Sequence, residues 1–238
     1  MLVRSWNLFH GNTSPPGRRA YLEEMVRLVT ADEPDVVCLQ EVPVWALARL
    51  EGWSGMRTLP AVARKPRLPL ALGRALTALH TGLFRSLFTG QANALLVRRE
   101  LGVLLESILV LNEASLLGIG TGERRVGQAA RLRRPSGSHV LLGNLHASQS
   151  AQHAQEQVER AAAHVLELAE PGEPVVLAGD FNVTPDLRHL GFSEGGPGID
   201  HVLVRGDDPG PLHVWSDERR SKDGMLLSDH APVERALQ

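Results

Sequence analysis

Six strand-like runs in this chain begin or end on side chains able to hold a cation, a water or a phosphate. Asn7 closes LVRSWN, and Glu41 follows DVVCLQ. Asn144 and His146 close LLGNLH, and Asp180 and Asn182 close VVLAGDFN. Asp200 opens DHVLV, and Ser228, Asp229 and His230 precede APVERAL. Taken singly, a carboxylate at a strand end is a turn former or a helix cap. Six such ends, each with a carboxylate, amide or imidazole, point together to metal-assisted hydrolysis. Asp and Glu oxygens are hard ligands suited to Mg²⁺ or Mn²⁺. Amides hold a phosphate or a water by hydrogen bonds. An Asp beside a His fixes the imidazole tautomer for acid–base work. No nucleophile elbow and no Walker-type phosphate loop occurs, so serine-hydrolase and P-loop chemistry lack their motifs.

Strands must carry these side chains. Runs at 2–7, 35–40, 92–97, 103–111, 129–132, 139–145, 173–178, 199–204 and 231–237 read as strands, several of them continuously apolar and so buried on both faces. Helical spacing marks 18–30, 44–50 and 150–169. The alternation is mixed α/β, consistent with two packed sheets and outer helices. No linker separates two parts, so a single domain over 1–238 is expected. His201 alternates with Asp200 and faces the other way. Cys38, in a buried run, reads as core.

The composition narrows the partners. With 238 residues, 43% hydrophobic and 22% charged, the chain can bury a substantial core and is not disordered. Its one cysteine excludes an intramolecular disulfide framework and a cysteine-rich zinc site. A net charge of −2 excludes a general nucleic-acid coat. That figure hides a division, because residues 52–99 hold eight Lys and Arg and no Asp or Glu. Arg67, Arg74 and Arg85 share a helical face there, with Leu72, Leu76, Leu79 and Leu83 about opposite. This basic amphipathic segment, at about 64–90, has three readings. It packs its leucines on the sheet as a surface helix, guides a polyanionic substrate, or lies on an anionic membrane with Phe84 and Phe88 dipping in. Arg124, Arg125 and Arg131 form a second cluster, either a solvated strand face or a phosphate contact. The first residues, MLVRSWN, contain no signal-type apolar run, and no stretch is long enough to span a membrane, so a cytoplasmic monomer is expected.

In chain order, WN at 6–7, LQEV at 39–42, NLH at 144–146, GDFN at 179–182, IDHV at 199–202 and SDHAP at 228–232 resemble the endonuclease/exonuclease/phosphatase superfamily, the DNase I-like metal-dependent phosphodiesterases. QANALLVR at 91–98 is similar to that family's NAILSR strand. The resemblance implies a four-layer α/β sandwich: two mixed β-sheets face to face, helices outside, and a site at one edge. It implies that Glu41 binds Mg²⁺, or Mn²⁺, with Asn7 and Asp229. Asp180 would orient or deprotonate the attacking water, with Asn182 beside it. His230, oriented by Asp200, and His146 would flank the phosphate. Asn144, Arg125 and His10 are candidate substrate contacts. The substrate expected first is DNA or RNA, with a phospholipid or small-molecule phosphoester as runner-up and a catalytically silent binding module as a remote third. There are two departures from the abasic endonucleases. Phe9 stands where they have an acidic metal partner, and the one tyrosine, Tyr21, lies in the first helical run rather than in mid-chain.

Overall fold

A computed structural model describes residues 1–17, 19–79, 88–112 and 124–238. Fourteen strands occur among them. They are β1 (Leu2–Asn7), β2 (Thr13–Ser14), β3 (Val36–Val42), β4 (Arg57–Arg64), β5 (Gln91–Val97), β6 (Gly102–Asn112) and β7 (Arg125–Arg133). Then come β8 (His139–His146), β9 (Val175–Asp180), β10 (Asp200–Arg205), β11 (His213–Val214), β12 (Ser221–Lys222), β13 (Met225–Leu227) and β14 (Val233–Ala236). The helices are α1 (Leu22–Thr30), α2 (Leu47–Ser54), α3 (Leu70–Leu79) and α4 (Ala151–Leu168).

One sheet runs β11-β14-β1-β3-β5-β4 and the other β10-β9-β8-β7-β6, with a small third sheet β12-β13-β2. The alternation of side chains explains why the central strands are apolar throughout. On β3, Val36 and Cys38 join Leu95, Val140, Leu142 and Val176 between the two large sheets. Their neighbours Val37 and Leu39 turn outward onto Met25, Val26 and Val29 of α1 and Leu50 of α2. The outer face of the second sheet carries α4, whose Ala154, Val158, Ala161 and Val165 meet Leu141, Leu145, Val175 and Leu177. Helix, sheet, sheet, helix is the expected four-layer sandwich. Cys38 is fully buried, and burial alone pushes its thiol far above the ordinary range, which leaves it an inert core residue.

The basic segment differs from its expected form. Residues 57–64, despite Pro60, form a strand that the apolar pattern does not mark. β4 is the edge of its sheet, the one place where proline costs no ladder bond. Helix begins only at Leu70 and is described to Leu79. Of the four leucines expected to pack on the sheet, Leu72 alone has a described side chain, and it is exposed. Gly73 packs on Trp45 and Thr89, and Trp45 Nε1 donates to Thr77 Oγ1 at 3.0 Å, while Leu70 and Leu72 are exposed. Leu83, Phe84 and Arg85 lie outside the described residues, as do the side chains of Leu76 and Leu79. The second arginine cluster is not a solvated face either. Arg131 pairs with Glu173 at 2.8 Å, Arg124 Nη1 donates to the carbonyls of Val62 and Ala63, and Arg125 is buried. Among the described residues no helix is long and apolar enough to cross a membrane.

Candidate active site

Strand direction gathers the chemical side chains at one rim. β1 and β3 are parallel, as are β8 and β9, so Asn7, Glu41, His146 and Asp180 all sit at carboxyl ends. β10 runs antiparallel to β9 and starts opposite its end, with Asp200 in register with Asp180. β14 is antiparallel to β1, which brings the preceding 228–230 turn to the same rim. β5, antiparallel to β3, contributes its first residue, Gln91.

Local backbone then aims each group. The β3–β5 register slips between Leu39 and Val42, and Glu41 within that bulge has φ 53°. Phe9, His10, Asn182 and Ser228 are also left-handed, so five of the seven such non-glycine residues described border this rim. Gly179, at φ 145°, lets β9 close on β8 beside Asp180. A Cβ there would lie 2.0 Å from the Leu145 carbonyl oxygen.

Asp180 is fully buried, and each carboxylate oxygen has its own donor. Asn7 Nδ2 donates to Oδ2 at 2.9 Å and the Asn182 amide to Oδ1 at 3.0 Å. Burial, then the neighbouring Asp200 charge, pushes the Asp180 pKa up to about 6, against those hydrogen bonds and His230. His230 Nδ1 is 2.7 Å from Asp200 Oδ2, while its Nε2 faces Asp180 at 3.8 Å and Asp229 at 3.9 Å. Burial pulls the His230 pKa down, but the Asp200 hydrogen bond and the surrounding carboxylates outweigh it and lift the value to about 9. His230 is therefore an imidazolium at neutral pH.

The other imidazole behaves oppositely. Burial holds His146 well below the ordinary histidine value, and the Arg125 charge acts in the same sense. Gln91 Nε2 lies 3.1 Å and Arg125 Nη1 2.8 Å from His146 Nδ1. The same guanidinium nitrogen also lies 2.9 Å from His146 Nε2. His146 Nε2 faces Asp180 Oδ2 at 3.4 Å and Glu41 Oε1 at 3.8 Å.

Two donor sets could hold a cation. Asp180, Asp200 and His230 offer ligand atoms within 4.8 Å of one another. His230 Nδ1 and Asp200 Oδ2 are bonded to each other, which leaves Asp200 Oδ1, buried without a hydrogen-bond partner, as the free donor of that set. Glu41 is the second set, with Asn7 beside it, whose Oδ1 accepts from the Phe9 amide at 2.9 Å. Burial, then Asp180, raises the Glu41 carboxyl to about 7, although Arg125, His230 and Asn7 oppose the rise. A buried carboxyl that resists ionising gains most from a cation, and its oxygens are hard donors, so this pair fits a divalent ion such as Mg²⁺.

The sequence profile of the Endonuclease/Exonuclease/phosphatase family matches residues 5–230. The chain belongs to this family. No curated protein sequence matches it. Among solved structures, a functionally unknown conserved protein from Enterococcus faecalis V583 aligns at 17% identity and TM-score 0.75, covering 100% of this chain and 99% of that one. The mannosyl-6-phosphatase of Bacteroides thetaiotaomicron gives 18% identity and TM-score 0.69, covering 100% and 99%. Truncated Caenorhabditis elegans TDP2 gives 16% identity and TM-score 0.69, covering 99% and 96%. At these identities the likeness is one of fold.

For this member of the Endonuclease/Exonuclease/phosphatase family, the structure brings together Asn7, Glu41, His146, Asp180, Asp200 and His230, with His10 beside them. His10 Nε2 lies 3.5 Å from Glu41 Oε2, in the turn where Phe9 departs from the abasic-endonuclease pattern. Asp229 is linked to Ser228 and His230, and no contact joins it to Glu41 among the described residues. Asn182 donates its side-chain amide to the Ala147 carbonyl at 3.0 Å while its backbone holds Asp180.

Two expected substrate contacts are instead buried. Asn144 is buried and spends its side chain between the sheets, accepting from Gln40 Nε2 at 2.9 Å and donating to the carbonyls of Leu39 and Ala94. Arg125 is buried, with Nη1 2.8 Å from His146 Nδ1. Tyr21 donates to Asp223 at 3.1 Å and packs in the helix-side core, away from the cluster.

Sequence reasoning missed two positioning residues. Gln91 was visible only as the first letter of QANALLVR. Arg220, buried in a polar stretch with no motif, donates Nη1 to the carbonyls of Leu227 and Ser228 and so pins the turn that presents His230. Trp6 Nε1 holds the His230 carbonyl from the other side at 2.9 Å.

Proposed function

We propose that this chain is a divalent-metal-dependent hydrolase of phosphoester bonds. One observation carries the reading: an imidazole held by Asp200 faces the buried, doubly hydrogen-bonded Asp180 carboxyl group across the space that Glu41 and His146 also border. Mg²⁺, or Mn²⁺, bound by Glu41 and Asn7, with Asp229 at the rim, would neutralise phosphate charge. Asp180 is ionised above about pH 6 and its oxygens are oriented, so it accepts a proton from the attacking water. His230 donates from Nε2 to a phosphate oxygen, while Asp200 fixes the ring and sustains its charge. His146 borders the phosphate from the other side, where it stabilises charge or protonates the leaving oxygen. Asn182 and Arg220 keep the geometry rigid.

The substrate class we put first is a phosphodiester of DNA or RNA, approached past the basic residues of 52–99, in a cytoplasmic protein. Membership of a family whose solved relatives include a mannosyl-6-phosphatase and TDP2 keeps the leaving group open. A phospholipid or small-molecule phosphoester is the second reading. The leucines exposed on α3 favour it, since a nucleic acid has no use for them.

The deciding experiment is a panel of plasmid, single-stranded oligonucleotide, phosphoinositide, sphingomyelin and generic phosphodiester, with Mg²⁺ or with EDTA. Hydrolysis of at least one substrate, abolished by EDTA and by Asp180→Asn, is expected. EDTA-resistant turnover, or wild-type rates in Asp180→Asn and His230→Ala, would overturn the reading.

A further inference from the structure

Helix α3 is built inside out. Its contact face is small and polar, with Gly73 against Trp45 and Thr89 and Thr77 hydrogen-bonded to Trp45. Its outward face is apolar: Leu72 is 58% exposed and Leu70 51%, with Ala71 and Ala75 exposed between them. Phe88, 37% exposed, is tied to the segment just before α3, because the amides of Arg67 and Leu68 both donate to its carbonyl. A solvated surface helix arranges its residues the other way round.

The surroundings say what could cover this face. Lys65 and Arg67 are exposed beside it and form no ion pair among the described residues, while Arg74 lies over the Trp45 ring at 6.0 Å on the covered side. No Asp or Glu occurs anywhere from 52 to 99. Apolar side chains beside unpaired cations match an anionic lipid interface, where the leucines enter the acyl boundary and the cations meet the headgroups. A nucleic acid would use the cations alone. A second copy of this face would set like charges against each other.

The patch also adjoins the rim of the site. Phe88 lies three residues before Gln91, whose amide contacts His146. Gly90, at φ 69°, is packed so tightly against 64–66 that a Cβ would lie 2.6 Å from the Arg64 carbonyl oxygen.

We propose that Leu70, Leu72 and Phe88, with Lys65 and Arg67, form a peripheral docking surface for anionic membrane beside the active-site rim. The surface stands apart from the hydrolytic reading, because docking requires no turnover.

The test is co-sedimentation of the full chain with vesicles of phosphatidylcholine alone and of phosphatidylcholine with phosphatidylserine. Partition onto the mixed vesicles only, weakened by salt, is expected. Leu70→Ser/Leu72→Ser should reduce it about tenfold, and Lys65→Gln/Arg67→Gln about fivefold per charge removed. Phe88→Ser, on the neighbouring segment, gives a second reading of the apolar contribution should the leucine pair fold poorly. Three results would overturn the proposal. One is no partition onto the mixed vesicles. Another is partition unchanged in both apolar variants, with oligonucleotide retention lost in the charge variant, which marks a nucleic-acid surface. The third is a concentration-dependent dimer that the leucine pair abolishes, which marks a second copy.

Discussion

At the strand ends Asn7, Asp180 and Asn144 are almost wholly removed from water, and each finishes in hydrogen bonds to named partners. On α3 the reverse holds, with Leu70 and Leu72 in solvent and Gly73 and Thr77 inside. Both regions invert the ordinary distribution of polarity, but they offset the cost differently. Buried polar groups are stabilised within the fold by reciprocal donors and acceptors, and the result is rigidity. Exposed apolar groups have no internal compensation, so their stabilisation must come from a partner. The first region should therefore be sensitive to single substitutions in the isolated protein, and the second should be silent until something docks.

The largest effect belongs to the chemistry. Asp180→Asn and His230→Ala each remove one proton-transfer group, and kcat on the true substrate should fall by about 10²–10⁴. Their melting temperatures should stay near wild type, since Asp180→Asn also relieves the repulsion from Asp200. A large stability loss with unchanged rate per folded molecule would move both residues from chemistry to scaffold.

Asn144 tests the scaffold side of the same region. Asn144→Ala deprives two carbonyls and the Gln40 amide of a buried partner, and unfolding free energy should drop by about 2–4 kcal/mol. KM should be unchanged, because the side chain never reaches substrate. A raised KM at unchanged stability would restore the substrate-contact role that the strand-end position suggested.

That strand-end position was legible, while its depth was not. Asn144 and His146 share one face of β8, but Asn144 sits one pleat further from the end, where the sheets meet rather than where solvent enters. β3 and β9 could be read directly because burial on both faces leaves an unbroken apolar run. β4 could not, because Pro60 and its flanking arginines look like loop until the strand is known to be an edge. The 3.6 period showed that 64–79 has two faces, but it does not say which is covered. Gly73 and Thr77 are covered because small residues allow close approach to Trp45. The proposed ligand and proton-transfer groups lie in local motifs, which is why the sequence singles them out. Arg220 acts through backbone carbonyls of a turn that follows it, and no local pattern marks that.

A charged network far from the site gives a smaller effect, and one that depends on pH. Arg4 is fully buried and pairs with Asp32 at 2.7 Å and with Glu234, both of which also meet Arg219. The Arg4 hydrogen bond holds the Asp32 carboxyl below its ordinary value, despite partial burial. Burial raises Glu234, but the Trp215 hydrogen bond and Arg4 more than reverse that. Both folded-state pKa values are thus depressed. Their contribution is full above the ordinary carboxylate range of about pH 4 and is lost as pH falls through the depressed values. Asp32 is about half exposed, which keeps its share small. Asp32→Asn should melt a few degrees below wild type at pH 7, and the two should converge below about pH 3. A gap that stays constant down to pH 2 would show that the loss is packing rather than charge.

The smallest effect separates the two regions most sharply. Leu72→Ser removes a side chain that the fold does not bury, so unfolding free energy should change by less than about 0.5 kcal/mol. The same replacement at Leu39 or Leu141, both fully buried, should cost about 3–5 kcal/mol, from the cavity and the unsatisfied hydroxyl together. Denaturant melts of the three variants measure the contrast directly. If Leu72→Ser proved as costly as the core substitutions, α3 would be covered within the chain itself, and its leucines would need no partner. If it proved neutral in solution yet lowered the melting temperature only in the presence of anionic vesicles, the stabilisation of that face would lie outside the protein.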